Sequence, residues 1–560
     1  MPNNVLRDHF RGYRHPFLFG VHYLGGIGDN PRTLSELAMI QYSAELRQEP
    51  EWWRRHKDPA TRAEWAERAL GRMWKVPTPS GFINLELSQR QVNYVLDELS
   101  GYASLRNEKH GCQVSCFERI WESHSVLDPA THTTLQRQIH DLRSHYITSS
   151  RLVAPKTNNG LTTTFVDPSL YCFVYSRTLV SHSHQAAHPR VLPPPPSDIY
   201  TASSKFQLLP SEVSLSLDGK AKFNSYINGL HPDEYPDLYK SLEATLTGFM
   251  PLFGHTLTDL HRNNPLKQRI SGACKYTVWD EPEEPEFSDD EEGWSNYERD
   301  MRQWVMSRPL SLPDVPDEGY RGGLEERRHF VDLKGRDIQV MTNIAETVLQ
   351  PEGPSFQGTP WHVEGMRNER IVACGFYVIS AENITPASLQ FRMAVTYPRG
   401  FVAGDAGATI RTWGLQDGDP CHQHIGEVPL RPGLAIVFPN IYQHRISPFR
   451  LQNPSFPGRL TILSFYISDP DVLPITSTKM VSPQQEEWVK KALWESMAGK
   501  KLPTELIEHI ISDVDGLMTE EEACSYQEEL VEVREAFRKA NDDYHFCIPF
   551  DVWNGPENSF

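Results

Sequence analysis

A chain of 560 residues exceeds what a single hydrophobic core usually fills, so one very large domain or two to three smaller ones are expected. Its 55 basic and 73 acidic residues give a net charge of −18, which argues against a nucleic-acid partner because displacing phosphate counterions needs a basic surface. There is no apolar run of about 18 residues to cross a membrane, and Met1-Pro2-Asn3-Asn4 followed by Arg7, His9 and Arg11 lacks the apolar core of a secretory signal; a cytoplasmic protein with a small-molecule partner is the expectation, and oligomeric state is left open.

Residues 1–150 read as mostly helical. Leu34–Leu46 and Glu51–Trp74 carry apolar residues at helical spacing, Ser88-Gln89-Arg90-Gln91 fits a capping box opening a helix through Leu99, and a further helix is expected over Thr134–Tyr146. Cys112 and Cys116 form the one close cysteine pair; with no second pair nearby, buried reduced thiols are expected rather than zinc ligands.

Residues 151–335 form a mixed region. His182, His184 and His188 stand beside Pro193–Pro196, which favours an extended solvated loop over a metal site. Val213, Leu215 and Leu217 alternate with polar residues as a half-buried strand does, and a helix is predicted from Pro236 to His261. Asp280–Glu292 holds nine acidic residues and two prolines in thirteen positions, the composition of a surface or disordered loop.

Residues 336–480 are strand-rich, with strands predicted over Ile338–Leu349, Ile371–Ile379, Ser388–Thr396, Leu434–Phe438 and Leu460–Ile467. Residues 481–560 return to helix: Pro483–Met497, Pro503–Asp513 and a third helix capped by Thr519 with Glu522, whose Tyr526, Leu530, Val533 and Phe537 form a docking stripe. The expected class is α+β, a β core wrapped by helices at both ends.

The segment that carries chemistry is Trp361-His362-Val363-Glu364-Gly365. Residues two apart on a strand face the same way, so His362 and Glu364 can bind one metal. His444, 80 residues beyond Glu364 and just after the apolar run Gly433–Phe438, supplies a third ligand. Two imidazoles and one carboxylate on one face of an octahedron leave the opposite face open, as non-haem Fe(II) enzymes that admit O2 and a cosubstrate require. Arg459 opens the strand Arg459–Leu463, and a guanidinium suits bidentate capture of a carboxylate, with Thr461 on the same face. This order resembles the double-stranded β-helix (jelly-roll) oxygenases, in which a basic residue about one strand beyond the distal His grips 2-oxoglutarate. Other readings stay open: His362 as a core histidine, Glu364 paired with Arg367 or Arg370, His444 on a solvated turn, Arg459 as a structural ion-pair partner. Arg392 on Leu389–Val395 is a second candidate for a carboxylate, and Thr347, Leu349 and Tyr377 are candidate pocket residues.

The resemblance extends further. Arg32-Thr33 through Trp52, Phe165–Tyr175, Leu209–Ser211, Ser225–Pro232, Trp361–Phe391, Phe438–Leu451 and Ser477–Trp488 are similar to a fungal family catalogued as domain of unknown function 4246. Trp361–Met366 with Asn368-Glu369, and Glu382-Asn383-Ile384-Thr385, are the most specific stretches. The resemblance implies an iron- and 2-oxoglutarate-dependent oxygenase of secondary metabolism, stimulated by ascorbate, oxidising an unactivated C–H bond of an amino acid or natural-product intermediate by hydroxylation or ring closure such as aziridine formation from valine. The alternatives are a cupin-like metal enzyme without 2-oxoglutarate and a non-catalytic interaction scaffold.

Overall fold

The computed structural model describes residues 12–17, 28–148, 160–181, 189–196, 201–277, 280–496 and 502–553; the histidines at 182, 184 and 188 lie outside these. The N-terminal helices are α1 (Leu34–Arg47), α2 (Trp52–Arg55), α3 (Pro59–Leu70), α4 (Gln89–Leu105) and α5 (Pro129–Thr148). The continuous helix expected over 51–74 is split because the Asp58 carboxylate caps a new helix by accepting from the Thr61 N–H, with Pro59 in its first turn. The Ser88–Gln91 capping box is present at the start of α4. Downstream come α6 (Pro236–Leu260), α7 (Glu291–Ser307), α8 (Ala406–Trp413), α9 (Glu486–Glu495), α10 (Thr504–Ser512) and α11 (Glu520–Asn541), which runs into a π-helical turn at Asp542–Phe546. The acidic stretch is therefore a loop only in part: Asp290 caps α7, and Glu291 and Glu292 fill its first turn, where the helix dipole favours negative charge.

Two antiparallel sheets hold the centre. Their strands are β1 (Gln113–Val114), β2 (Trp121–Ser123), β3 (Thr162–Val166), β4 (Ser211–Leu215), β5 (Ala221–Phe223), β6 (Asp337–Leu349), β7 (Ile371–Glu382), β8 (Ser388–Ala394), β9 (His422–Pro429), β10 (Ala435–Pro439), β11 (Tyr442–Ile446) and β12 (Gly458–Ser468). The larger, nine-stranded sheet runs β5-β4-β6-β12-β7-β10-β2-β1, with β3 also on β6; the smaller runs β9-β8-β11. Neither closes into a barrel among the described residues. The described fold is thus mixed α and β with antiparallel sheets.

Alternation along the strands divides the interior into two apolar cores. On β12, Leu463, Phe465 and Ile467 join a core beneath α6, while Leu460, Ile462 and Tyr466 join a second core shared with Phe391 and Met393 of β8. Phe438 links the sheets, its ring 5.0 Å from Phe391 and 5.3 Å from Phe376. On the other side, α6 lays Phe249 and Phe253 against Gly375 of β7, where an added Cβ would come within 2.8 Å of both rings. Burial of such aromatic surface is worth about 1.5–3 kcal/mol per side chain. Gly375→Ala should therefore cost about 1–3 kcal/mol through overpacking, read as a lower denaturation midpoint; an unchanged midpoint would mean that α6 does not seat on β7 this closely.

Candidate metal centre

The segment before β7 is too short to be a regular strand, yet it pairs with β11 at one point. The His362 N–H donates to the His444 carbonyl at 3.2 Å and the His444 N–H to the His362 carbonyl at 3.0 Å. Such a doubly bonded antiparallel pair puts both side chains on one side of the ladder. His444 also registers opposite Phe391 of β8, so all three side chains face the inner core. Glu364, two residues on, joins them: its Oε1 lies 3.7 Å from His362 Nε2 and 3.5 Å from His444 Nε2. Among the described residues this is the cluster of His, Cys, Asp or Glu side chains arranged to hold an ion. Cys112 and Cys116 are both buried and are not joined in a disulfide.

The surroundings fix these three side chains. Asn440, fully buried in the turn between β10 and β11, accepts from the Glu364 N–H at 2.8 Å and donates to the carbonyls of Glu364 at 2.8 Å and Ile371 at 3.0 Å. Gly365 then turns the chain with φ +66°, a left-handed conformation that favours glycine. The buried Glu369 carboxylate closes the turn, accepting from the N–H groups of Met366 at 2.6 Å and Leu208 at 2.9 Å. His362 Nδ1 lies 2.8 Å from the Pro360 carbonyl, so Nδ1–H donates there and Nε2 is left as the metal-facing lone pair. Tyr466 stands inside the same core, and burial together with the charge of Glu364 keeps its phenol protonated. The resemblance singles out Glu369 without a role, and Asn440 and Tyr466 are not singled out as site residues, because each acts through a backbone turn or a sheet face that only the tertiary structure assembles.

Electrostatics suit a cation. Burial opposes ionisation of Glu364, but the two imidazoles outweigh it and hold the carboxyl far below its usual range. Burial lowers His444, and the charge of His362 pushes it further, to about 4. Burial also acts to lower His362, yet attraction to Glu364 prevails and raises it. Three donors of net charge −1 fit a divalent ion. The present spacings exceed the separation of about 3 Å between neighbouring ligands whose bonds to a metal are about 2.1 Å, so a small inward movement completes the fit. His362 and Glu364 side chains are 26% and 17% exposed while His444 is 2% exposed, so access is from the Glu364–His362 side.

The other sequence-predicted residues divide by face. Thr347 and Leu349 lie on the inner face of β6, opposite Leu460 and Gly458 of β12. Arg459 and Thr461 do not join the triad: they share the outward face of β12 with Leu463 and Phe465. Arg459 Nε sits 3.4 Å from Glu382, and Thr461 donates to Glu346 at 3.1 Å. The structural ion-pair reading of Arg459 is the one the geometry matches. Arg392 alternates with Phe391 and faces away from the inner core; it donates to Gln443 at 2.6 Å and Asp542 at 2.8 Å and lies over the ring of Trp361. Tyr377 faces α6, its hydroxyl 2.6 Å from His132 Nδ1. Both residues depart from their expected roles because strand parity places them on the wrong side of the sheet.

Sheets and triad together define a mixed α/β protein with antiparallel sheets and a His-Glu-His site of metal-binding geometry. The chain belongs to the family described as protein of unknown function (DUF4246), whose model matches residues 89–492, and the family's N-terminal domain matches residues 2–68. No curated protein matches the sequence. Similar solved structures include the Fe(II)/(alpha)ketoglutarate-dependent dioxygenase TqaL (10% identity, 64% of this chain and 95% of that one, TM-score 0.23). A bsmA homolog from Methylobium petroleophilum is similar at 9% identity over 61% of this chain and 87% of its own, TM-score 0.22. IDO from Bacillus thuringiensis is matched at 11% identity over 25% of this chain, TM-score 0.16, the chain spanning 48% of its length. No helix among the described residues is long and apolar enough to cross a membrane.

Two outcomes follow. Metal uptake needs unprotonated imidazoles, and His362 is raised above its ordinary 6.5 whereas His444 stays neutral until about 4. One proton, on His362, should therefore compete with the metal, and affinity should fall by about tenfold per pH unit below the His362 value. Calorimetric Co(II) titrations from about pH 8 to about pH 5 check this, a flat profile counting against it. Asn440→Ala should also weaken metal binding and lower stability by about 1–3 kcal/mol, because it leaves the Glu364 N–H buried without an acceptor; unchanged affinity would deny Asn440 its positioning role.

Proposed function

We propose that the protein is an Fe(II)- and 2-oxoglutarate-dependent oxygenase of the double-stranded β-helix class, acting on an amino acid or similar small molecule. The observation that carries this is the convergence of His362, Glu364 and His444 on one side of the inner core. Strand order supports it. In chain order β6, the 361–364 segment, β7, β8, β9, β10, β11 and β12 pass from one sheet to the other at every step except β8 to β9, which pair within the smaller sheet, as in a two-sheet jelly roll.

Iron(II) on these three ligands would supply the centre that binds and reduces O2 while 2-oxoglutarate is decarboxylated to succinate. The chain's own residues do the rest. His444 presents a neutral Nε2 lone pair, His362 would present one once its proton is displaced, and Glu364 would offset the metal charge. Asn440 and Glu369 hold the Glu364 turn rigid, and the rings of Phe376, Phe391 and Phe438 keep water from the buried side of His444.

A cupin-like metal enzyme that does not use 2-oxoglutarate is the second reading, favoured by the outward placement of Arg459. Succinate separates the two. Protein with Fe(II), ascorbate, 2-oxoglutarate and an amino-acid panel should release succinate in step with product, and Glu364→Ala or His444→Ala should reduce it by at least about a hundredfold. Full turnover in either variant defeats the ligand assignment, and product without succinate selects the second reading.

A further inference from the structure

The triad faces inward, so parity sends the chain neighbours of its histidines outward. On β11, Gln443 and Arg445 flank His444 and point to the outer face of the smaller sheet, where the register sets them opposite Arg392 and Gln390 of β8. Trp361, next to His362, reaches the same outer cluster. Its ring takes two guanidinium groups, whose carbons lie 4.9 Å (Arg392) and 4.5 Å (Arg445) from the ring centre. Arg392 Nε also donates to Gln443 Oε1 at 2.6 Å. Through Arg392, then, the neighbour of His362 and the neighbour of His444 are joined on the side of the sheet away from the site.

One carboxylate completes this group. Asp542 opens the π-helical turn that follows α11, a kind of turn that recurs at functional sites. Its Oδ1 accepts from Arg392 Nη2 at 2.8 Å and from Gln443 Nε2 at 2.7 Å, so Asp542, Arg392 and Gln443 close a ring of three hydrogen bonds. Its Oδ2 lies 3.6 Å from Arg538 Nη1, one helical turn earlier. Arg392 and Gln443 are 6% and 0% exposed, so water does not stand in for the carboxylate, and a buried charge that loses its partner is strongly destabilised. The turn itself is seated from both sides. Phe546 packs with Val363, Met366 and Ala394, and its carbonyl lies 3.1 Å from His422 Nδ1.

We propose that Asp542 is a positioning residue of the metal centre: by holding Gln443 directly and Trp361 through Arg392, it fixes the backbone that carries His444 and His362, and so the donor arrangement into which a divalent ion fits. It touches neither metal nor substrate and acts through its neighbours. The reciprocal pairing of His362 with His444 decides which way each ring points; the carboxylate on the far side decides how firmly the two segments are held. Asp542 lies outside residues 89–492 that the family model matches, so the C-terminal helix is a working part of the site rather than an appendage. The inference rests on the metal-site part of the proposed function and needs neither 2-oxoglutarate nor O2.

The test titrates the full chain with Co(II) alone, reading affinity by calorimetry and the ligand field by visible absorption, in wild type, Asp542→Asn and Glu522→Gln. The last variant is the control: Glu522 pairs with Arg177 at 2.8 Å at the opposite end of the same helix. Asp542→Asn should lower Co(II) affinity by about 10- to 100-fold and alter the absorption bands, while Glu522→Gln leaves both as in wild type. Unchanged affinity and spectrum in Asp542→Asn overturn the inference, and so does an equal loss in both variants, which would trace the effect to helix docking alone. Should Asp542→Asn fail to fold, Arg392→Lys carries the test, since lysine keeps the charge but lacks the planar fork that reaches Asp542 and Gln443 together; wild-type affinity there overturns it. A wild type that binds no Co(II) overturns the inference along with the ligand assignment. One that binds Co(II) as expected, yet releases no succinate with Fe(II), leaves Asp542 its role while the oxygenase reading fails.

Discussion

One backbone pairing holds the site together: the two reciprocal hydrogen bonds between His362 and His444. They join residues separated by most of two sheets in sequence, and they set side-chain parity on both segments at once. Shift that pairing by one residue and His362 turns outward with Glu364, because side chains on extended backbone alternate faces. Asn440 makes such a slip expensive. Its amide occupies one N–H and two carbonyls around Glu364 and Ile371, so the turn after β10 and the turn before β7 form as one unit.

The charge balance follows from that geometry. A carboxylate between two imidazoles in a buried setting is ionised, yet only one of the imidazoles readily holds a proton, since two adjacent imidazolium groups repel. With both imidazoles neutral the cluster carries −1, the balance that suits a divalent cation, and a proton on His362 takes up that charge when no cation does. Tyr466, kept protonated beside Glu364, adds a donor to the carboxylate side without adding charge.

Much of this was legible in the sequence, for identifiable reasons. Long strands such as β6, β7 and β12 announce themselves by apolar runs, and the ligands by strand spacing. β9 and β11 were not foreseen: His422–Pro429 and Tyr442–Ile446 are short and carry several polar residues, so they owe their strand form to neighbours rather than to propensity. Arg459 reads as an anchor from order and spacing alone. What decides its direction is the register Leu349 to Gly458 and Glu382 to Arg459, which puts Leu460 inward and Arg459 out, and no local pattern encodes a register between strands far apart in sequence.

The helices at the C-terminus illustrate the same limit from the opposite side. The stripe Tyr526, Leu530, Val533 and Phe537 is recognisable as a docking face, and α11 docks with it against both the inner core and the ligand-bearing segment. Read as a stripe, it hides its exception. Arg534 falls within the face, and only the packing reveals that its neighbours leave two guanidinium nitrogens without acceptors. An apolar residue there would bury more surface without a desolvation cost. The charge that answers the arginine is Glu369, almost fully buried and 4.0 Å away, so α11 closes on the turn that follows Glu364 through an ion pair as well as through apolar contact.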